Sequence, residues 1–357
     1  MELFHTLQVK TINKTSYDCS VIEVNVPKEL EEKFLFKQGQ HLTFKANING
    51  ENIRRSYSLC SSPLDNEWKV AIKQIRGGAF STYANTKLKI GDLIEIMEPS
   101  GNFHVAIDIK KPKNYIAFAA GSGITPIISI IKTHLKSEPK STFKLFYLNK
   151  TANSIILKEE IEQLKNQFLE RFQVFYFLSQ ERRDILFLNG RFDSEKLTTL
   201  TNNFINIDAT DHCFICGPKD MMFLIRDELV TAGLDKTKIH YELFFSGDDK
   251  ASNLQAEKIL DQKVEGTEVT IIDGGKEFHF IMEDECDTIL DGALAAGADL
   301  PFACKGGVCS TCKCKIIEGN VEMKVNYALS EEEVSQKFIL SCQSVPTTEK
   351  VIVDFDV

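Results

Sequence analysis

Roughly the first 108 residues alternate between hydrophobic and polar side chains over short runs. The runs are TLQVKTINKT, CSVIEVNVP, HLTFKAN, WKVAIKQI and DLIEIMEP, and turn-forming pieces such as Asn49-Gly50 and Gly91-Asp92 separate them. Alternation with a period of two is typical of half-buried β-strands, and no long helical repeat interrupts it. The pattern predicts an antiparallel β-barrel or sandwich.

From Asn114 onward, apolar runs alternate with segments of helical periodicity. YIAFAAG is a buried strand by its pattern, and TPIISIIKTHL follows it with apolar residues at every third or fourth position. The same alternation continues as far as KIHYELFF. Strands that alternate with helices predict crossover connections, and therefore a doubly wound α/β domain with a parallel sheet.

A polar segment, residues 246–263, separates this region from a third one. The third region has a hairpin pattern closed at Asp273-Gly274, a short helix pattern in TILDGALAAGA, a cysteine-rich stretch and two final strand patterns. These features predict a compact α+β module. The chain is therefore expected to have domains at 1–110, 111–247 and 263–357, with a linker at 248–262.

Charge is distributed unevenly between these regions. The 357 residues carry a net charge of −9, and from Lys263 to the C-terminus 18 acidic residues face only 8 basic ones. An acidic surface repels phosphate backbones, so a nucleic-acid partner is not expected. The acidic region is either a solvated face or a docking surface for a basic partner protein.

No membrane or export segment is predicted. The most apolar stretch, Tyr115–Ile131, is interrupted by Gly121 and Pro126 and is shorter than the roughly 20 apolar residues that a spanning helix needs. The N-terminus has no basic-then-apolar signal pattern. We expect a cytoplasmic protein, in which thiols stay reduced and disulfides are rare.

Four cysteines give the strongest chemical signal. Cys304, Cys309 and Cys312 follow the spacing C-x4-C-x2-C, and Cys342 lies further along the chain. This is the ligand spacing of plant-type [2Fe–2S] clusters. Zinc is the alternative, because Cys309 and Cys312 alone would suit it, but Cys342 has no neighbouring Cys or His. The spacing favours the cluster, with the nearby Cys314 on the opposite face of a strand.

A cluster that carries one electron needs an electron source, and two stretches of the first region are candidates. Arg55-Ser56-Tyr57-Ser58 offers a cation, an aromatic ring and two hydroxyls on one extended run. Gly78-Ala79-Phe80-Ser81 offers backbone amides and a hydroxyl for a pyrophosphate. Each alone is equally typical of surface charge, core packing or a turn.

Together these stretches resemble the ferredoxin–NADP reductase family, whose flavin-binding motif is R-x-Y-[ST] followed by G-x-x-S. The resemblance implies that Arg55 binds the flavin phosphates, that Tyr57 packs on the flavin ring, and that Ser58 hydrogen-bonds near N5. Ser56, within the same motif, is also expected to bind the cofactor. It favours FAD over FMN. Residues that would line the pyrophosphate are Gly78, Phe80 and Ser81.

The same family places a glycine motif, G-x-G-x-x-P, after the first strand of its nicotinamide domain. Here it is Gly121-Ser122-Gly123-Ile124-Thr125-Pro126, between a strand and a helix as a pyrophosphate site requires. The residues taken to bind nicotinamide are Gly121, Gly123, Thr125 and Pro126, with Cys216, Gly217 and Pro218 as a wall beside the ring.

Two further features carry the resemblance. In HYELFF, Glu242 and Phe244 are expected near the flavin, and Glu242 joins Ser58 as a catalytic candidate. Where a NAD-selecting acid would be expected, the chain has Asn149 and Lys150. A lysine can pair with a 2′-phosphate, so Lys150 favours NADPH over NADH.

The three regions in series predict an NAD(P)H-dependent reductase that passes electrons through FAD and a [2Fe–2S] cluster to a protein partner. The resemblance implies a β-grasp-like ferredoxin domain at the C-terminus. Within the family, the module order and length resemble the reductase subunits of phenylacetyl-CoA epoxidases, so the implied partner is a multi-subunit di-iron oxygenase. The alternatives are a reductase of a Rieske-type or other ring-hydroxylating oxygenase, a stand-alone reductase of a small acceptor, and a redox sensor.

Overall fold

The computed structural model describes residues 4–244, 259–260 and 262–357. These residues belong to two compact units, one spanning Phe4–Phe244 and the other including residues 262–357. The predicted linker, 248–262, lies outside the described residues except for 259, 260 and 262. The predicted domain boundaries therefore stay a prediction.

The first part of the Phe4–Phe244 unit is a six-stranded antiparallel sheet in the order β4-β3-β6-β1-β2-β5. Its strands are β1 (His5–Ser16), β2 (Cys19–Asn25), β3 (His41–Ile48), β4 (Glu51–Ser58), β5 (Trp68–Lys73) and β6 (Leu93–Ile96), and helix α1 (Ala79–Thr86) follows β5. The start of β1 alternates strictly between buried and exposed residues, as a half-buried strand should. The antiparallel prediction is confirmed.

The second part of this unit is a five-stranded parallel sheet in the order β11-β10-β7-β8-β9. Its strands are β7 (Asn114–Ala120), β8 (Thr142–Asn149), β9 (Phe172–Leu178), β10 (His212–Gly217) and β11 (Ile239–Leu243). Its helices are α2 (Ile124–Ser137), α3 (Lys158–Gln167), α4 (Ser194–Asn203) and α5 (Lys219–Thr231). The strand order reverses beside β7, which places a ligand crevice at the carboxyl ends of β7 and β10.

The apolar stretch Tyr115–Ile131 divides into β7 and the first half of α2. Between residues 4 and 244, at 259–260 and from 262 onward, no helix is both long and apolar enough to cross a bilayer. The stretch is apolar because both elements are buried inside the α/β part of the unit.

The C-terminal unit is a mixed α+β fold. Its five-stranded sheet has the order β13-β12-β18-β14-β16, in which only β12 and β18 run parallel, and a separate two-stranded sheet joins β15 to β17. The strands are β12 (Glu268–Asp273), β13 (Lys276–Ile281), β14 (Lys313–Glu318), β15 (Val321–Met323), β16 (Phe338–Leu340), β17 (Ser344–Pro346) and β18 (Lys350–Asp354). The helices are α6 (Ile289–Ala295) and α7 (Glu331–Ser335).

Candidate functional site

A serine and a glutamate that are far apart in sequence meet at the ends of two strands. Ser58 ends β4, and its Oγ donates to Oε2 of Glu242 on β11 at 3.2 Å. Burial raises the pKa of Glu242 to about 8, although the Ser58 hydrogen bond opposes the shift. The carboxyl therefore holds its proton at neutral pH, a state typical of groups that take part in proton transfer.

The cysteine of the C-G-P motif lies next to this pair. Cys216 on β10 is the parallel neighbour of Glu242 on β11, and its side chain is fully buried. Burial raises the pKa of the Cys216 thiol. The neutral thiol and the protonated carboxyl thus form one uncharged patch at the carboxyl edge of the parallel sheet.

The glycine motif is packed directly against this patch. A Cβ atom on Gly123 would lie 2.2 Å from the carbonyl oxygen of Cys216, so no larger residue fits. Gly121 has a φ of +52°, and a Cβ there would meet nothing within 4 Å. The loop is thus close to β10 on one side and open on the other, as a cradle for a dinucleotide phosphate must be.

Side chains around the motif hold the loop in this shape. Thr125 Oγ1 donates to the carbonyl oxygen of Ser122 at 3.0 Å, and the Tyr147 hydroxyl donates to that of Gly121 at 2.9 Å. Pro126 lies in the first turn of α2, where its missing N–H costs no helical hydrogen bond. The residues present fit a nicotinamide dinucleotide.

Other predicted cofactor-binding residues lie at the ends of the same sheet. Gly217 is the last residue of β10, Pro218 precedes α5, and Phe244 directly follows β11. Phe244 is partly buried and packs against the core of the α/β part. These three residues share the edge that carries Cys216.

Lys150 directly follows β8 and is exposed. The ends of β8 and β9 continue side by side, because the Gln180 N–H donates to the carbonyl oxygen of Lys150 at 2.8 Å. Two exposed arginines follow at once, Arg182 and Arg183. Neither arginine is among the residues predicted from the sequence, although a basic pair just after a strand of a parallel sheet is a recognisable signal. Nearby, the buried Nδ2 of Asn149 has no hydrogen-bond partner.

Residues of the flavin motif alternate along β4, an edge strand of the antiparallel sheet. Arg55 is exposed, and its Nη1 donates to the neighbouring carbonyl of Arg54. The Ser56 hydroxyl pairs with that of Thr43 at 2.9 Å. Tyr57 is partly buried and packs edge-on against Phe44 at 5.9 Å between ring centroids. The guanidinium is thus available to an anion.

The second flavin stretch forms the start of α1. Gly78 caps the helix, and a Cβ there would lie 2.5 Å from both Ile75 Cγ1 and Ser81 Oγ. The Ser81 hydroxyl accepts from the Ile75 N–H at 3.2 Å. Phe80 is 2 % exposed and packs on Tyr57 at 5.6 Å, so only its backbone can face a pyrophosphate. The turn and the exposed Arg55 fit a flavin dinucleotide.

The four cysteines of the metal motif lie in and beside one irregular loop of the C-terminal unit. Lys305, Gly307 and Ser310 have φ values of +51°, +72° and +50°, so the loop needs repeated left-handed conformations to wrap around a centre. Cys312 and Cys342 are buried, whereas Cys304 and Cys309 are partly exposed. The site therefore has an inner side and a surface side.

Donors are directed at the sulfur atoms. The Gly306 N–H donates to Cys304 Sγ at 3.3 Å, and Gln343 Nε2 donates to Cys342 Sγ at 3.7 Å. Contact with Cys309 lowers the pKa of Cys304, and contact with Cys342 lowers that of Cys312. The same contacts raise the pKa of Cys309 and of Cys342, which shows that the four sulfur atoms lie close together. Four adjacent cysteine sulfurs with N–H···S bonds fit an iron–sulfur cluster.

Cys314 is apart from this set. It lies on β14, is fully buried, and belongs to the hydrophobic core of the C-terminal unit. Burial raises the pKa of its thiol well above the ordinary value. A neutral core thiol is a small hydrophobic residue rather than a ligand.

Three family models match the chain in series. A model for an oxidoreductase FAD-binding domain matches residues 6–105, one for an oxidoreductase NAD-binding domain matches 118–227, and one for a 2Fe-2S iron-sulfur cluster binding domain matches 271–347. Each matched range lies within the part of the fold that carries the corresponding candidate residues.

Similar proteins share this whole arrangement. A subunit of the 1,2-phenylacetyl-CoA epoxidase of Escherichia coli (strain K12) is 40 % identical over 356 residues, covering 100 % of this chain and 99 % of that protein. The ferredoxin reductase component of a 3-ketosteroid-9-alpha-monooxygenase of Rhodococcus rhodochrous is 30 % identical, covering 98 % and 96 %. The structure of phthalate dioxygenase reductase aligns with a TM-score of 0.60 at 22 % identity, covering 99 % and 98 %.

Proposed function

The chain belongs to the family of oxygenase reductase components that join FAD-, NAD- and [2Fe–2S]-binding domains, and from that premise we propose that its partner is a phenylacetyl-CoA epoxidase. The chain itself is an NAD(P)H-dependent oxidoreductase with FAD and [2Fe–2S] cofactors. The observation that carries the choice of partner is the 40 % identity to a component of such an epoxidase along both full lengths, against 30 % for a ketosteroid monooxygenase reductase.

When bound, the flavin would accept a hydride and the cluster would carry one electron at a time. The protein positions these groups and sets the electrostatic environment around them. In this proposal, Ser58 and Glu242 form a proton-holding pair beside the flavin ring, because a carboxyl whose pKa is about 8 keeps its proton at neutral pH. The neutral Cys216 completes the uncharged wall against which the nicotinamide ring packs.

The remaining site residues have binding roles. Arg55 and the first turn of α1 bind the flavin phosphates, while Ser56 and Tyr57 shape the strand beside them. The glycine loop before α2 binds the nicotinamide pyrophosphate. The residues assigned to this loop and its surroundings are Gly121, Gly123, Thr125, Pro126, Gly217 and Pro218. Phe244, directly after β11, is assigned to the flavin together with Glu242.

Cys304, Cys309, Cys312 and Cys342 are proposed as the cluster ligands. The partly exposed pair, Cys304 and Cys309, is on the surface side of the site, so an electron would leave toward a docked protein past this edge. Gly306 and Gln343 add hydrogen bonds to sulfur that stabilise the thiolates.

NADPH is the proposed donor. Lys150, Arg182 and Arg183 follow the carboxyl ends of two adjacent parallel strands, β8 and β9. No acid occupies positions 149 and 150, where a carboxylate would bind the 2′-hydroxyl of NADH. Glu181 and Asp184 flank the arginines, and Glu181 Oε2 accepts from the Ala152 N–H at 2.7 Å. The three cations outnumber these acids and favour a 2′-phosphate, because guanidinium groups bind phosphate with paired hydrogen bonds.

The acidic C-terminal region is proposed to dock on a basic patch of the oxygenase. Between Lys263 and the C-terminus the net charge is −10, and a cluster of four acids in five residues, Glu283, Asp284, Glu285 and Asp287, precedes α6. Asp291 on α6 pairs at 3.0 Å with Lys305 of the cysteine loop. This ion pair is itself neutral, but it places the first turn of α6, which the four acids precede, beside the loop that would hold the cluster.

The decisive experiment is reconstitution with a partner. The purified chain is mixed with NADPH and either the oxygenase subunits of a phenylacetyl-CoA epoxidase or those of a Rieske-type oxygenase. We expect oxygen-dependent consumption of phenylacetyl-CoA with the first partner and little product with the second. Equal or better turnover with the Rieske-type oxygenase would contradict the assignment. Reduction of ferricyanide alone, without transfer to either oxygenase, would indicate a stand-alone reductase.

A further inference from the structure

Three consecutive residues after the flavin motif are bound to one face of α2. Residues 60–62 leave the end of β4, and Ser129, Lys132 and Thr133 lie three and four positions apart on the helix, so they share a face. The contacts are Ser129 Oγ to the Ser61 carbonyl at 2.6 Å, Lys132 Nζ to the Cys60 carbonyl at 2.9 Å, and Thr133 Oγ1 with Ser62 Oγ at 2.8 Å. We call these six residues the polar seam.

Lys132 is the charged member of the polar seam. It is only 6 % exposed, and its ammonium also contacts the carboxylate of Glu160 on α3. A buried ammonium is costly unless it is paired and hydrogen-bonded. Lys132 meets both conditions, and in doing so it joins the segment after β4, helix α2 and helix α3 at one point.

The polar seam lies between the two halves of the candidate redox site. On one side, residues 60–62 continue directly from Ser58, the partner of Glu242. On the other side, α2 begins at the glycine loop, whose Gly123 is packed against Cys216. Gly123 and Lys132 are nine residues apart, about 13 Å along a rigid helix. A shift at the polar seam is therefore transmitted to the nicotinamide loop.

Hydride transfer is sensitive to such shifts. The reacting atoms must approach to about 3–3.5 Å, and a misplacement of about 1 Å can cost about 100-fold in rate. We propose that Lys132 is a positioning residue that, with Glu160, sets the nicotinamide-binding loop against the flavin-binding strand. This inference rests on the reduction of FAD by NADPH in this chain and adds the element that aligns the two.

The test compares Lys132→Met with Lys144→Met in the full holoprotein. Lys144 is a partly buried lysine of β8 whose Nζ donates to the Phe204 carbonyl at 2.6 Å, entirely within the α/β part. Both substitutions remove one lysine-to-carbonyl hydrogen bond. Only Lys132→Met also removes the ion pair with Glu160 and acts on the polar seam. The limiting rate of flavin reduction by NADPH is measured by anaerobic stopped flow, and NADP⁺ affinity by calorimetry.

We expect Lys132→Met to slow flavin reduction about 10- to 100-fold while the Kd for NADP⁺ changes by less than about twofold, because the binding loop itself is intact. Amide hydrogen exchange, a readout independent of turnover, should speed up in peptides covering residues 58–69 and the first half of α2. Lys144→Met should change neither the rate nor this exchange. If Lys132→Met does not fold, Ser129→Ala removes a single bond of the polar seam and should give the same pattern at smaller size.

Three results would overturn the inference. The first is that Lys132→Met reduces its flavin as fast as the unsubstituted chain. The second is that Lys144→Met is slowed as much as Lys132→Met. The third is that amide hydrogen exchange in residues 58–69 is unchanged in Lys132→Met. Should the unsubstituted chain itself fail to be reduced by NADPH, the proposed function would fail, whereas the exchange measurement would still decide whether Lys132 fixes the polar seam.

Discussion

Glu242→Gln is expected to stabilise the Phe4–Phe244 unit near pH 8 while it removes the proton-holding group from the candidate site. Burial raises the pKa of Glu242 from 4.5 to about 8, so the folded chain keeps a proton that the unfolded chain has lost between these pH values. Folding then takes up a proton, and the free energy of unfolding falls as pH rises through this window. Below pH 4.5 both states are protonated and the penalty disappears.

The size of the effect follows from the shift. Each pKa unit corresponds to about 1.4 kcal/mol, so the penalty reaches about 3 kcal/mol at pH 7. Glutamine carries no titratable proton and can still accept the Ser58 hydrogen bond. We therefore expect Glu242→Gln to raise the free energy of unfolding by about 3 kcal/mol at pH 7 and about 4 kcal/mol at pH 8, with little difference at pH 4.5.

Urea unfolding measures this directly. The chain has one tryptophan, Trp68, which is 7 % exposed with its Nε1 donating to the Phe34 carbonyl at 2.7 Å, so its fluorescence reports on the antiparallel part. Glu23→Gln is the matched control, because Glu23 is 5 % exposed but already accepts from Lys10 Nζ at 2.7 Å, and its loss should destabilise the unit. A stability gain in Glu242→Gln that does not grow between pH 5 and pH 8 would refute the reasoning.

Three further predictions concern the other sites. Cys342→Ser should abolish the visible absorbance and the electron paramagnetic resonance signal of the cluster, while FAD content and NADPH–ferricyanide reduction persist. The control Cys314→Ala should keep the cluster. Retention of the cluster in Cys342→Ser and its loss in Cys314→Ala would remove Cys342 from the ligand set. Lys150→Ala combined with Arg182→Ala should raise KM for NADPH about tenfold, the equivalent of about 1.4 kcal/mol, without changing that for NADH; an equal effect on both donors would exclude a 2′-phosphate contact. Turnover with the oxygenase should fall as ionic strength rises from 0.01 to 0.15 M, because the Debye length shrinks from about 30 to 8 Å. NADPH–ferricyanide reduction serves as the control. A flat response of the oxygenase reaction would refute electrostatic docking.

Local signals in the sequence were enough for the fold and for the cluster-binding domain. Strand and helix periodicities are set by burial within each element, and three of the four cysteines lie in one loop, so neither prediction needed knowledge of distant contacts. The Ser58–Glu242 pair is different, since its members are 184 positions apart. It was expected only through a family resemblance, because no local pattern reports which strand ends meet.

Two other features could not be predicted from the sequence alone. The G-x-x-S pattern suggested that Phe80 lines a pyrophosphate, yet α1 directs this side chain into the core with Ala84, one turn later on the same face. Nothing local in TPIISIIKTHL marks Lys132 as buried, since lysines rarely stay buried. Its partners, the Cys60 carbonyl and Glu160, come from two other elements, so only the tertiary structure shows why it can be buried.

The division of the described residues into two units matches the two kinds of electron transfer that the family performs. Hydride transfer needs two bound molecules in contact. The two parts that would hold these molecules share one hydrophobic core. In it, residues of the antiparallel part pack with residues of the α/β part, the former being Cys19, Cys60 and Ala71 and the latter Ala117 and Ile128. The polar seam adds directional bonds to that apolar contact. Hydrophobic contact alone tolerates small slides, whereas hydrogen bonds from Ser129 and Lys132 to successive carbonyls fix the register of α2 against residues 60–62. The cluster would carry single electrons, and the C-terminal unit with its four cysteines has a separate hydrophobic core. The contact between α2 and residues 60–62 must hold two reacting molecules in precise alignment. There the hydrogen bond and the ion pair of Lys132 offset the free-energy cost of burying its charge.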